Sequence, residues 1–472
     1  MKLIAIIGAG PAGLTAAYVL SKNNIKVHVY EASNSVGGMC KTIKMWGQNV
    51  DLGPHRFFSN DARVNSLWIE IIKKEYCIIN RLTRIYYNKK FFFYPLKFFN
   101  VLFNLGLIRS TLCFFSFLYS KLFPPKKFNN FENWITAKFG KVLFNIFFKS
   151  YSEKLWGLKC NKIHSDFAKQ RIKKLTLFEA IISSLYSKNN ENHKTLVDEF
   201  AYPKNGTGMV YELMKKKIIK NRGNFFFNNK ITKIKDVNNK KKISIIDKKS
   251  KLRKYDHMIS TMPINYLIKN INAPKKIINI SNSLKFRNTI LVYLLLKNKN
   301  PFPDQWIYVH SSNIKTGRIT NFKNWSKEIN KNKKNTIICM EYWCNEGDNT
   351  WKLSDSDLIN LAKNDVKNSE LLADDKILDG SVIKIPKCYP IYETNYKRKI
   401  KKISEYLKTK KNISVIGRYG SFKYNNQDHS ILMGLLAADN LINRSKNDLW
   451  NLNSDYEYQE KSSISKSGLK KI

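Results

Sequence analysis

A glycine-rich turn within the first forty residues constrains this chain more than any other feature. Lys2-Leu-Ile-Ala-Ile-Ile7 reads as a short apolar strand of a buried parallel sheet, and it runs directly into Gly8-Ala9-Gly10-Pro11-Ala12-Gly13. Residues 14–20 follow as a helix, and Lys26-Val-His-Val-Tyr30 as a second strand ending at Glu31. Gly8 permits a tight turn, Gly10 lets the backbone approach a pyrophosphate, and Gly13 lets the helix pack closely on the strand. The N–H groups at the helix start, around Ala12, attract phosphate charge. Glu31 stands about 20 residues past the glycines, where an acid can hold ribose hydroxyls. Strand, glycines, helix, strand and acid in register predict a dinucleotide-binding site.

Composition narrows the partners. The 472 residues carry a formal net charge of +47, which points first to nucleic acid, an anionic membrane or a phosphorylated substrate. The lysines arrive together with asparagine and isoleucine along the whole chain, as in residues 235–254 and 327–334, so they coat a surface and do not form one arm. No RNA-binding signature or Cys/His finger accompanies them, and no nucleic-acid partner is expected. Seven scattered cysteines without a CxxC pair predict a reducing compartment, no disulfide framework and no metal site. The apolar start is too short for a secretory signal, so a cytoplasmic protein is expected.

Further along, Gly37-Gly38-Met39 and Asp51-Leu-Gly53-Pro54-His55 form two more turns close behind the first, and both are expected to face one ligand. Residues 91–148 are aromatic and helical in character. Their apolar segments 98–108 and 110–120 are interrupted by Arg109 and bounded by Lys97 and Lys121, so neither reaches the roughly 18 apolar residues of a spanning helix. Two readings stay open there: buried helices of a substrate domain, or a monotopic surface at the inner face of a membrane. Residues 170–186 read as a helix, 204–209 as a loop, 210–219 as a helix, and 224–260 as a small antiparallel meander. Strands follow in 291–338, with Trp306, Tyr308, Arg318, Asn324 and Trp325 close together. Ile413-Ser-Val-Ile416 reads as another buried parallel strand, Gly417-Arg418-Tyr419-Gly420 as a turn, and 430–442 as a helix. A polar tail is expected to be disordered from about residue 446.

These residues resemble the FAD-binding fold shared by flavin amine oxidases, protoporphyrinogen oxidases and UDP-galactopyranose mutases. Gly37-Gly38 matches the diglycine of that group, Gly53-Pro54-His55 resembles the mutase turn beside the flavin, and Gly417-Arg418 with Tyr424 and Asp428 resembles its C-terminal flavin segment. Tyr94-Pro-Leu-Lys97, the run 151–157 and Gly317-Arg318 to Trp325 are similar to bacterial flavoproteins related to the mutases and found with polysaccharide genes. Met39 departs from the pattern, since an arginine usually follows the diglycine. The resemblance implies an α/β fold: a Rossmann-like FAD-binding domain of glutathione-reductase type (residues 1–90, 204–272 and 410–445) with an interleaved mixed α+β substrate domain (91–203 and 273–409).

FAD would then carry the chemistry, because the chain shows no GxSxG elbow, HExxH, P-loop or carboxylate pair. The resemblance implies contacts to it from Gly8, Gly10, Ala12, Gly13, Glu31, Gly37, Gly38, Met39, Gly53, Pro54, His55, Gly417, Arg418, Asp428, His429 and Ser430. A helix beginning near Ser430 would favour an anionic reduced flavin. His55 is the catalytic candidate, as a proton shuttle or as a hydrogen-bonded structural histidine. The resemblance suggests Arg171 and Arg287 as counterparts of the mutase arginines that bind a diphosphate, and Trp306, Arg318 and Trp325 are further substrate candidates. Two reactions remain open: rearrangement of an anionic nucleotide- or lipid-linked sugar without net oxidation, or dehydrogenation of an amine or apolar substrate.

Overall fold

The computed structural model describes residues 2–94, 96–171, 199–237, 242–297, 300–329, 333–372 and 376–452, with 464–465 and 468–469. The chain divides into two compact units, one of Met1–Ile78, Phe200–Lys285 and Tyr396–Ile472, the other of Ile79–Glu199 and Phe286–Asn395.

The first unit is built on a parallel five-stranded sheet, in the order Ile413–Val415, His257–Ser260, Leu3–Ile7, Lys26–Tyr30, Asn224–Phe226. Its central strands bury both faces, which explains their unbroken apolar runs. Helix Pro11–Lys22 starts on a proline, whose fixed φ suits the first helical position, and stops before Asn24, which takes the left-handed conformation at φ 58°. Its inner face shares one core with helices Gly208–Lys220 and Gln427–Ile442, through Leu14, Ala16 and Ala17 against Val210, Met214, Ile431 and Ala437. This corrects the expected meander over 224–260. Only Ile231–Lys235, Ile243–Asp247 and Leu252–Tyr255 form an antiparallel sheet; the first and last runs join the parallel sheet instead. The expected tail is also shorter at its start, because Leu449 lies in the same core and Asn447 bonds to Asp439 and Asn440. Residues 453–463 of that tail fall outside the described residues.

The second unit carries a seven-stranded mixed sheet, ordered Ile377–Pro390, Phe286–Leu296, Thr336–Cys344, Arg318–Asn321, Trp306–Val309, Thr83–Tyr87, Lys90–Phe93. Trp306–Val309 and Thr83–Tyr87 run parallel and the other neighbours antiparallel. Helix Asp355–Ser369 covers it with Leu358, Ala362 and Val366. The aromatic region supplies helices Phe98–Leu105, Leu107–Leu122, Phe131–Phe139 and Ser150–Trp156. Most of the helix expected at 170–186 lies outside the described residues.

Candidate functional site

In the first unit, three distant pieces of chain meet at the opening turn. Gly8 sits at φ 99°, and a Cβ there would lie 2.1 Å from Thr261 Oγ1, which donates to Ile7 O at 2.8 Å. Gly13 must be glycine for a different reason: a Cβ would stand 2.0 Å from Gly8 O. The helix start at Gly10 has no side-chain cap, which leaves the first-turn N–H groups of Ala12 and Gly13 aimed at whatever anion occupies the turn. Glu31 reaches back to this turn, its Oε2 accepting from Ala9 N at 2.8 Å and its Oε1 from Ser33 N at 2.8 Å.

The diglycine folds onto the same place. Gly37 N donates to Ala9 O at 2.8 Å, and a Cβ on Gly38 would be 3.1 Å from the Cα of Gly10. Met39 follows in a helical turn, half-buried, beside Cys40, whose thiol is pushed up to about 12 by burial and then by Asp51. From the far end of the chain, Gly417 arrives against the helix start, where a Cβ would be 3.2 Å from that of Ala12. Gly8, Gly10, Gly13, Gly38 and Gly417 thus leave a cradle lined by backbone.

The turn at Gly53-Pro54-His55 is held from behind by Asp51. That buried carboxylate accepts from Thr42 Oγ1 at 2.5 Å, Tyr202 OH at 2.6 Å and Thr207 N at 3.2 Å. Burial pushes its pKa up to about 6 against the lowering effect of those bonds. His55 Nδ1 lies 3.1 Å from Gly53 O. A ring nitrogen facing a carbonyl oxygen carries the hydrogen, which makes Nε2 the nitrogen that accepts a proton. The neighbouring Arg56 carbonyl accepts from Gln427 Nε2 at 2.9 Å, which ties this turn to the start of helix Gln427–Ile442.

That helix begins three residues before the expected Ser430. Asn426 is its cap, and His429 closes a capping box by accepting from Asn426 N at 3.2 Å, while Ser430 Oγ donates to Asn426 O at 3.1 Å. His429 therefore serves the helix end, with the buried Asp428 beside it at 3.6 Å. Arg418 lies over the Tyr424 ring at 4.6 Å and donates to Asn425 O at 3.1 Å, which puts one face of its guanidinium on its own loop.

The substrate candidates all belong to the second unit, and Arg287, Arg318, Trp306 and Trp325 each have partners within it. Arg287 is buried and donates to the carbonyls of Leu155, Lys154 and Trp343 at 3.1, 3.1 and 2.9 Å, and to Asp348 at 3.2 Å. It closes the C-terminal end of helix Ser150–Trp156, and burial lowers its pKa. Arg318 forms a fork with Glu341, both bonds at 2.6 Å, on the directly opposite position of the neighbouring strand. Trp306 and Trp325 stack at 5.6 Å in the core, with Trp325 Nε1 donating to Gln305 O. Asn321 and Asn324 bond the carbonyls of the loop at Phe302 and Asp304. The side chain of Arg171 lies outside the described residues.

A cluster on this sheet joins Tyr151 and Tyr308, both within segments singled out in the sequence, to His310 and Trp343, which were not. Tyr151 stacks on His310 at 4.7 Å and meets Tyr308 and Trp343 edge-on. Lys154 donates to Ser311 O at 2.6 Å, and burial pushes its ammonium down to about 8 and the His310 imidazole down to about 3. Glu341 had a signal: one carboxylate inside the wholly buried strand Thr336–Cys344 requires a cation.

The profile of the family described as flavin containing amine oxidoreductase matches residues 11–377. The chain belongs to this family. Membership implies a flavin cofactor, and the uncapped helix start, the backbone cradle and the Glu31 carboxylate at the turn fit a dinucleotide.

Among curated relatives, coproporphyrinogen III oxidase of Staphylococcus aureus is 33% identical over 97 residues, which cover 20% of this chain and 21% of that protein. L-amino-acid oxidase of Crotalus adamanteus is 47% identical over 55 residues, 12% of this chain and 11% of that protein. The chain thus matches about a fifth or less of the length of these relatives.

Structural likeness extends much further. A reduced UDP-galactopyranose mutase superposes with a TM-score of 0.83 at 22% identity, over 96% of this chain and 98% of that one. A putrescine oxidase variant gives 0.65 at 14% identity, over 94% and 99%. A fatty acid isomerase of P. acnes that produces CLA gives 0.63 at 13%, over 94% and 99%. At these identities the likeness is one of fold.

Proposed function

We propose that this chain is an FAD-dependent enzyme of mutase type, acting on a nucleotide- or lipid-linked sugar in surface polysaccharide synthesis. The observation that carries the reading is the grading of the structural likeness, 0.83 for the mutase against 0.65 for the amine oxidase. The cationic surface, at a net charge of +47, suits an anionic diphosphate substrate.

Bound FAD supplies electron-rich ring chemistry when reduced. The chain's part is to hold and orient. The Gly8–Gly13 turn with the N–H groups of Ala12 and Gly13 takes the pyrophosphate, Glu31 the ribose hydroxyls, and Gly37, Gly38 and Met39 pass alongside. Gly53, Pro54 and His55 present a ring whose Nε2 takes or returns a proton, with Asp51 fixing the turn behind it. Gly417, Arg418, Asp428, His429 and Ser430 complete the cradle, the last three through the helix end they shape. Arg287 and Arg318 act as supports of the second unit's sheet, and the Tyr151, Tyr308 and Trp343 rings offer stacking surface for a sugar or base.

The test uses the full chain carrying FAD, reduced with dithionite and mixed with a panel of UDP-sugars. The expected result is a rearranged sugar nucleotide formed only after reduction, with no net change of flavin redox state. Bleaching of the oxidised flavin by an amine or apolar substrate, with no UDP-sugar rearranged, would establish the dehydrogenase reading instead. The likeness to L-amino-acid oxidase, at 55 residues, is too short to favour that second reading.

A further inference from the structure

In the second unit, helix Leu107–Leu122 is apolar on two sides. One stripe, Cys113, Phe117 and Ser120, is buried, and its spacing of four and three residues marks an ordinary core face. The stripe Ile108, Leu112, Phe115, Tyr119 and Leu122 has the same spacing on the outside, and it is 54 to 80% exposed. Just before it, across Gly106, Phe103 at the end of helix Phe98–Leu105 is 79% exposed. A helix face in water is normally polar, and an apolar patch of this kind marks a contact surface.

The charges beside it choose the occupant. Between residues 94 and 131 the cations are Lys97, Arg109, Lys121, Lys126 and Lys127, and there is no aspartate or glutamate. The next acid, Glu132, is engaged with Lys141. Lys97 and Lys121 lie along aromatic rings, over Phe93 and Phe117 at 4.9 and 5.4 Å, the posture of a cation at the boundary between apolar and polar phases. Pairing of this face with a second copy would set these cations against themselves with no acid of the segment to offset them. A helix of 16 residues is about 24 Å long, short of the roughly 30 Å hydrocarbon layer. Among the described residues no helix is long and apolar enough to cross a membrane.

We propose that the outer face of helices Phe98–Leu105 and Leu107–Leu122 seats this protein on an anionic lipid bilayer, lying in the plane of the interface. Phe103, Ile108, Leu112, Phe115 and Leu122 enter the headgroup boundary while Lys97, Arg109 and Lys121 meet lipid phosphates. This surface stands whether the substrate is a sugar or an amine, so its failure leaves the proposed reaction untouched.

The experiment is flotation of the full, FAD-loaded chain with vesicles of phosphatidylcholine, with and without phosphatidylglycerol, beside sedimentation velocity without lipid. Wild type is expected to float with anionic vesicles and to detach as salt rises. The double variant Ile108→Gln, Phe115→Gln and the double variant Arg109→Glu, Lys121→Glu are each expected to bind at least about tenfold more weakly. Both should keep their flavin content and melting temperature, because the changed side chains point outward. Wild type that floats with neither vesicle overturns the proposal. A dimer that Ile108→Gln, Phe115→Gln converts to monomer without any vesicle binding assigns the face to a second copy and overturns it as well. Equal binding to both vesicles overturns the anionic preference.

Discussion

Asp51 is buried in the first unit, where its carboxylate accepts from the Thr42 and Tyr202 hydroxyls and from the backbone N–H of Thr207. Its folded pKa, about 6, lies above the 3.8 of the unfolded chain, so between these values the folded state holds a proton that the unfolded state has released. Stability from this group is therefore full below about pH 4 and lost as pH rises through about 6, by roughly 3 kcal/mol at 1.4 kcal/mol per unit. The difference in urea stability between wild type and Asp51→Asn should narrow across that window. A difference constant from pH 4 to 7 would show that Asp51 stays ionised on folding. At the same scale, the site residues divide by how local their roles are. The turn at Gly8 and the close packing at Gly13 were legible because each is defined within a few residues of chain. The work of Arg287 and Arg318 was not, because an arginine's partner is whatever carboxylate or carbonyl the sheet register brings opposite it.

Among the elements, helix Gln427–Ile442 lies hard against helix Pro11–Lys22 at Gly434, where a Cβ would stand 2.5 Å from Ala12 O and 2.7 Å from Thr15 Cβ. Gly434→Val forces the two helices apart at the residues that hold the cradle. It should cost at least about 1–3 kcal/mol in denaturant unfolding and lower the flavin retained on purification. Unchanged flavin content would mean that the helix contact does not shape the cradle. Strand identity was legible from the sequence and strand partners were not. His257–Ser260 looks like one more short run in a meander, yet it pairs in parallel with Leu3–Ile7 and Ile413–Val415. Four apolar or neutral residues fit either sheet, and only long-range pairing separates them. Helix Leu107–Leu122 shows the converse, since its composition left burial and a membrane-facing surface both open, and only the fold turns one stripe to solvent.

The first unit as a whole is closed by chain ends far apart: its sheet takes strands from all three of its segments. A ligand that touches the opening turn, the diglycine and the piece at Gly417 binds only when those segments have come together, so it stabilises the folded state by mass action. At a hundredfold excess over its dissociation constant, FAD should add about 2.7 kcal/mol and raise the melting temperature of flavin-stripped protein by roughly 5–10 °C. A melting curve that FAD leaves in place would remove the cofactor assignment, whatever the substrate.

By itself, the sequence determined the opening strand, turn and helix: a strand, a turn of glycines, a helix and an acid lie within one stretch of backbone whose torsions and small side chains dictate the geometry. It also carried the family, through glycines and an Arg-bearing turn recognisable at the other end of the chain. The tertiary structure alone decided that Arg287 closes a helix end, that Arg318 neutralises Glu341, that Trp306 and Trp325 fill a core, and which stripe of the aromatic helix faces out. Those roles depend on which groups distant segments place within a few ångströms, and a side chain's chemistry does not specify its neighbours.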